Sequence, residues 1–188
     1  DSQHRLWVGS FNGLFVMDSS REKITEIKSI NQSLLSNGQA TIFTEITEDE
    51  KGNIWFATDG TDKRIACIGK FNPTNNQLQI VYNEKHQQSI HHNPVELGSM
   101  VSNGKGKIFA SFNGKGIAWF NTQTNDTVPH FFTAENGLGS NRTNGLIADK
   151  NGNIWCSTSF GFSCYSEARN IFTNYNYASY ALDNIAGP

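Results

Sequence analysis

Charge is scarce in this chain, and nowhere does it gather. Lys and Arg number 15 and Asp and Glu 17 among 188 residues, a formal net charge of −2. With no basic block, nucleic acid is excluded as a partner, because phosphate binding needs clustered Lys and Arg. No apolar run approaches the roughly 20 residues of a membrane-spanning helix, so no direct membrane insertion is expected. Helical periodicity is missing too: the best stretch, Gln32 to Leu35, is too short to count. Three cysteines, Cys67, Cys156 and Cys164, without a CxxC pair exclude a dense disulfide framework and a standard zinc site. Cys156 and Cys164 fall on neighbouring candidate strands, where they could pair; the alternative is burial as small apolar side chains. GxSxG, the P-loop and the dinucleotide fingerprint are all absent, so neither nucleophilic catalysis nor a bound cofactor is expected. The chain starts without Met or a signal peptide, which suggests a mature or excised segment.

What the chain does hold is 17 Gly, 13 Phe and a repeat. Asp1–Asp18, the segment beginning EDEKGNIWFATDG at Glu48, NGKGKIFASFNGKGIAWFN from Asn103 and DKNGNIWCSTSFGFSCYS from Asp149 are copies of one unit. Trp7, Trp55, Phe109 and Trp155 then stand in register at intervals of 48, 54 and 46 residues. That period belongs to propeller blades rather than to shorter solenoid repeats. The units run approximately over residues 1–35, 36–90, 91–138 and 139–188, a single propeller segment of about four blades.

Each unit divides into four short strands. In the fourth they are Asn144–Asp149, Ile154–Thr158, Phe162–Ser166 and Ile171–Tyr175, and an Asn151-Gly152 turn joins the first two. The fold expected is all-β, four blades of four antiparallel strands. Asp49 and Asp149, with Gly52 and Gly152, shape the turn, and the aromatic that follows packs against the next blade. This set reads as a blade-building device rather than an active site.

The unit resembles the two-component-regulator propeller repeat, on Gly137-Leu138, Ser140-Asn141, Asp149, Gly152-Asn153-Ile154-Trp155, Thr158, Gly161 and Tyr165. The second copy keeps Asp49, Gly52-Asn53-Ile54-Trp55 and Thr58; the third departs, with Phe109 for tryptophan and Asn103 for the turn Asp. The resemblance implies the periplasmic sensor region of a hybrid two-component regulator of the Bacteroides type. Such a region signals in response to oligosaccharides or their breakdown products, and its kinase lies elsewhere in the parent protein. It also implies more blades than four. An open arc would expose two apolar faces, which calls for remaining blades, for self-association, or for a small ring closed by a tail strand from Ala178–Asp183.

Candidate ligand residues are few. Asn141 and Arg142 precede the first strand of the fourth blade, where an Arg could meet an anionic sugar; the alternative is an ordinary turn. Phe112 and Asn113 form a turn whose ring could stack on a sugar or simply cover the core. His86, His91 and His92 lie in the longest insert, a binding-loop candidate whose spacing fits no metal motif, so no metal is expected. The rival functions are a propeller-type lyase, which would need histidines and a metal near the ring centre, and a protein-interaction scaffold.

Overall fold

Short apolar runs between Gly- and Asn-containing turns build fifteen strands, with one α-helix and one short 3-10 helix (Ala134–Asn136), among the described residues. They are seen in a computed structural model that describes residues 1–11, 13–34, 42–58, 67–83, 97–124 and 128–176. Three sheets have four strands, each a meander in chain order. These are β4 (Phe43–Glu48) to β7 (Gln77–Asn83), β8 (Leu97–Ser102) to β11 (His130–Phe132), and β12 (Thr143–Ala148) to β15 (Ile171–Tyr175). The first sheet has three strands, β1 (Leu6–Ser10), β2 (Gly13–Met17) and β3 (Ile24–Glu26). By alignment β1 corresponds to β5 (Ile54–Thr58), β9 (Lys107–Phe112) and β13 (Ile154–Thr158), so among the described residues the first blade has no innermost strand. The Ala178–Asp183 tail lies outside the described residues.

The innermost strands pack side by side, β4 on β8 and β8 on β12, while β1 packs on β4. Blades therefore stack front to back, and strand alternation sorts their side chains. Trp55 and Ala57 face forward with Ile68 into a cluster completed by Ile108, Ala110 and Phe120 of the third blade. Ile54 and Phe56 alternate with them, and Phe56 faces back into the cluster of Leu14 and Phe43. Phe109 faces forward onto Ile154, Cys156 and Tyr165 of the fourth blade. Among the described residues β12 has no comparable packing on β1.

One expectation is corrected, and one open alternative is resolved. A helix does form, α1 (Lys28–Leu34), seven residues with no acidic first turn and no basic last turn. So short a helix depends on tertiary contacts rather than propensity. Ile30 is fully buried between the first two blades, and Asn31 Oδ1 accepts the Leu14 N–H at 2.9 Å while its amide donates to Glu26 Oε1 at 3.0 Å. The cysteines, in turn, are free. Trp155 pairs with Cys164 across β13 and β14 (Gly161–Ser166), which puts Cys156 and Cys164 on opposite faces of the sheet. Burial pushes the Cys156 thiol up to about 12.

Candidate functional site

The acid, amide and indole that open the fourth blade hold one another. Asp149 Oδ1 accepts the backbone N–H groups of Asn151 (2.8 Å) and Asn153 (3.0 Å); Oδ2 accepts the Asn153 side chain (2.8 Å) and the Trp155 indole (3.4 Å). The Asn153 amide, more than the other donors, holds the Asp149 carboxyl below its usual value. Gly152 closes this turn at a φ of 75°, and Gly52 its equivalent at 77°, a region that favours glycine. Asp49 repeats the scheme, with the Trp55 indole donating at 2.8 Å, and Asp1 does so for Trp7 at 2.7 Å. Asn103 is the informative exception. Its Oδ1 still accepts the Lys105 and Lys107 N–H groups at 2.9 and 3.0 Å, while its buried Nδ2 has no partner. The Phe109 side chain has no N–H to offer, so the second carboxylate oxygen is dispensable there.

At the opposite end of the blades lie Asn113, Asn141 and Arg142. The Asn141 carbonyl accepts the Gly116 N–H at 2.9 Å, its side chain accepts the Ala134 N–H at 2.7 Å, and Thr143 Oγ1 donates to Gly116 O at 2.9 Å. Asn141 thus ties the third blade to the fourth, with Asn113 in the adjoining turn. Arg142 and Asn113 are exposed. Phe112 is not: its ring is fully buried between Tyr82 and Phe131, with centroids 5.3 and 5.4 Å away, and cannot stack on a ligand. His86, His91 and His92 lie outside the described residues. Among those that are described, no group of three His, Cys, Asp or Glu side chains could hold a metal.

The grooves at the Asp-turn end of the blades were not anticipated. Beside the second blade a cavity of about 630 Å³ is lined by Lys51, Asn53, Lys70, Asn72 and Gln79. The equivalent position one blade on is a cleft of about 400 Å³ between the third and fourth blades. Strand register makes the two correspond: Trp55, Lys70 and Gln79 lie opposite one another in the second blade, as Phe109, Trp119 and His130 do in the third. In the cleft the Trp119 and His130 rings stack, 4.2 Å apart at 15°, and the Lys107 ammonium lies 4.4 Å from the Trp119 centroid. Lys107 also pairs with Glu167 of the fourth blade at 2.6 Å. The far wall is Tyr165, Asn170 and Phe172, with the Tyr165 hydroxyl donating to Asn170 Oδ1 at 2.7 Å. Burial first, and the Glu167 charge second, push the Tyr165 phenol up. One signal could have revealed this cleft. Where the third blade has Trp119, the other copies have Val16, Lys70 and Cys164, so the cleft lies where the repeat departs from itself.

Residues 37–60 match the Two component regulator propeller family. The extracellular domain of the hybrid two component system BT3049 of B. thetaiotaomicron is 26% identical with a TM-score of 0.67, over 95% of this chain and 22% of that one. That of BT4673 from the same organism is 22% identical (TM-score 0.57, 85% and 19%) and shares the fold. So does PorZ, a surface component of the type-IX secretion system of Porphyromonas gingivalis, at 16% identity (0.59, 90% and 25%). The chain spans about a quarter or less of the length of each. No curated protein matches it. One repeat thus matches the two component regulator propeller family directly, and its copies fold as successive blades, as the likeness to the BT3049 extracellular domain leads one to expect.

Proposed function

We propose that this propeller segment is a non-enzymatic, periplasmic ligand sensor of a hybrid two-component regulator and responds to glycans or their breakdown products. The observation that carries this is the likeness of nearly the whole chain to an extracellular domain of such a system. Ligand held by the blades would bias the arrangement of the sensor region through its different affinity for the two signalling states, and the kinase elsewhere in the parent protein would read that bias. Calorimetric titration with a panel of oligosaccharides tests this. Heat from at least one member supports glycan sensing; silence across the panel favours a protein-interaction scaffold.

The exposed end faces support a second partner. Leu6 and Val8, equivalents of the buried Ile54 and Phe56, are 47% and 39% exposed at the back of the first blade. Ile147 and Phe162 are 67% and 48% exposed around Trp155 at the front of the fourth. Both faces fit a further blade of the same repeat, either on the same polypeptide or on a second copy. Sedimentation separates these sources. Residues 1–188 are expected to associate, and a chain extended by flanking repeats is expected to stay monomeric.

A further inference from the structure

The geometry points to the cleft between the third and fourth blades as a binding site for one ring of a neutral pyranoside, an assignment that rests on the glycan-sensing reading. A volume of about 400 Å³ lies at the lower end of the range of small-molecule sites, enough for a sugar ring with its substituents. Its walls combine what a pyranose needs. Half-buried Phe132 and Phe172 present aromatic surface to the C–H groups of the ring beside the edge of Trp119, whose faces meet His130 and Lys107, and exposed His130, Asn136 and Asn170 offer uncharged hydrogen-bonding groups at the rim. Asn170 Oδ1 is occupied by the Tyr165 hydroxyl, which orients the amide nitrogen as the donor.

Charge decides between neutral and acidic sugars. Among the described residues the one ammonium in the cleft wall, Lys107, is neutralised by Glu167 at 2.6 Å and lies against the Trp119 ring. A uronate or sulfate would find no unpaired cation there and would meet the Glu167 carboxylate. The groove of the second blade has the opposite character. Lys70 and Gln79 stand where Trp119 and His130 stand, so it has cations and amides and no ring stack at that position. The same backbone therefore provides an internal control, because the repeat itself accepts Lys and Gln at these two positions.

The double variant Trp119→Lys/His130→Gln gives the cleft the side chains of its neighbour, and Asn170→Gly alters the opposite wall while keeping its φ of 53° accessible. Each is titrated by calorimetry with neutral oligosaccharides (gluco-, manno- and xylo-) and with oligouronates, after its thermal midpoint is shown to lie near that of the wild type. The expected result is binding of a neutral oligosaccharide that quenches Trp119 fluorescence and weakens by about tenfold or more in both variants. Neutral binding that survives both substitutions overturns the cleft assignment and leaves glycan sensing standing. Binding of uronates alone overturns the neutral class. Silence towards every saccharide overturns both the assignment and the reading beneath it.

Discussion

The second and fourth blades carry the same Gly-Asn-Ile-Trp sequence after the same turn Asp, yet they meet different surroundings. Trp55 is 1% exposed, its ring 6.1 Å from Phe120 of the next blade. Trp155 is half-buried, and its cover is Tyr175 of its own sheet, 5.7 Å away. The indole hydrogen bond follows suit, 2.8 Å to Asp49 against 3.4 Å to Asp149. An identical local sequence thus fixes the turn, while the neighbouring blade fixes burial and tightens the turn further. Stability should therefore depend on position in the stack rather than on residue type.

The two tryptophans give the largest contrast. Trp55→Ala removes a fully enclosed ring between two blades and is expected to cost about 3–5 kcal/mol. For a chain of this size that lowers the melting temperature by roughly 10 °C. Trp155→Ala is expected to cost about 1 kcal/mol, since much of its ring is already in water. Thermal unfolding of both variants checks this, and equal losses would mean that the front of the fourth blade is covered in solution.

Next comes the turn acid. Asp49→Asn points an amide N–H₂ at the Trp55 and Asn53 donors, or else loses the backbone bonds from Lys51 and Asn53. The expected cost is about 2–3 kcal/mol. The third blade shows the escape: Asn103 is tolerated with Phe109, which donates nothing. Trp55→Phe should therefore recover part of the Asp49→Asn loss, so a double-mutant cycle should give a double loss smaller than the sum of the singles. Strict additivity would refute the coupling.

Glycines extend the contrast in space rather than in hydrogen bonding. Gly69 pairs with Phe56, and a Cβ there would run into the buried Phe56 ring. Gly145, on the exposed inner strand of the fourth blade, would meet nothing nearer than Ser157 Oγ at 3.5 Å. Gly69→Ala is expected to cost about 1–2 kcal/mol by overpacking, and Gly145→Ala to stay within about 0.5 kcal/mol. Urea denaturation measures both.

The blades were legible in the sequence because their determinants are local. Ile154–Thr158, Lys107–Phe112 and Ile171–Tyr175 are strands with the bounds that alternation and turns set. The helix at Lys28 was not legible, since what holds it is tertiary: Ile30 packs with Phe43 and Phe56, and Asn31 accepts the Leu14 N–H. The burial of Phe112 was legible only as one of two readings, because Tyr82 and Phe131, which close over it, lie on other strands. The cleft escaped for a related reason. Lys107, Trp119, His130 and Phe172 come from four strands on two blades, and only strand register brings them together.

The smallest effect is the pH dependence of the uncovered turn. Hydrogen bonds from Asn153, Asn151 and Trp155 depress the Asp149 carboxyl below the ordinary value of 3.8, so folding favours the ionised form. The stabilisation is complete above 3.8 and is lost as pH falls through the lower folded value. Asp149→Asn cannot titrate. Its deficit relative to wild type should be constant near neutrality and shrink as pH drops below 3.8, because protonated Asp149 loses the same interactions that the variant lacks. Because Asp149 is only half-buried, the gap is small, and it must be read as the difference between two acid unfolding curves. A gap that widens in acid would show that the carboxylate is not what holds this turn, and that the Asn153 amide or the Trp155 packing does so without it.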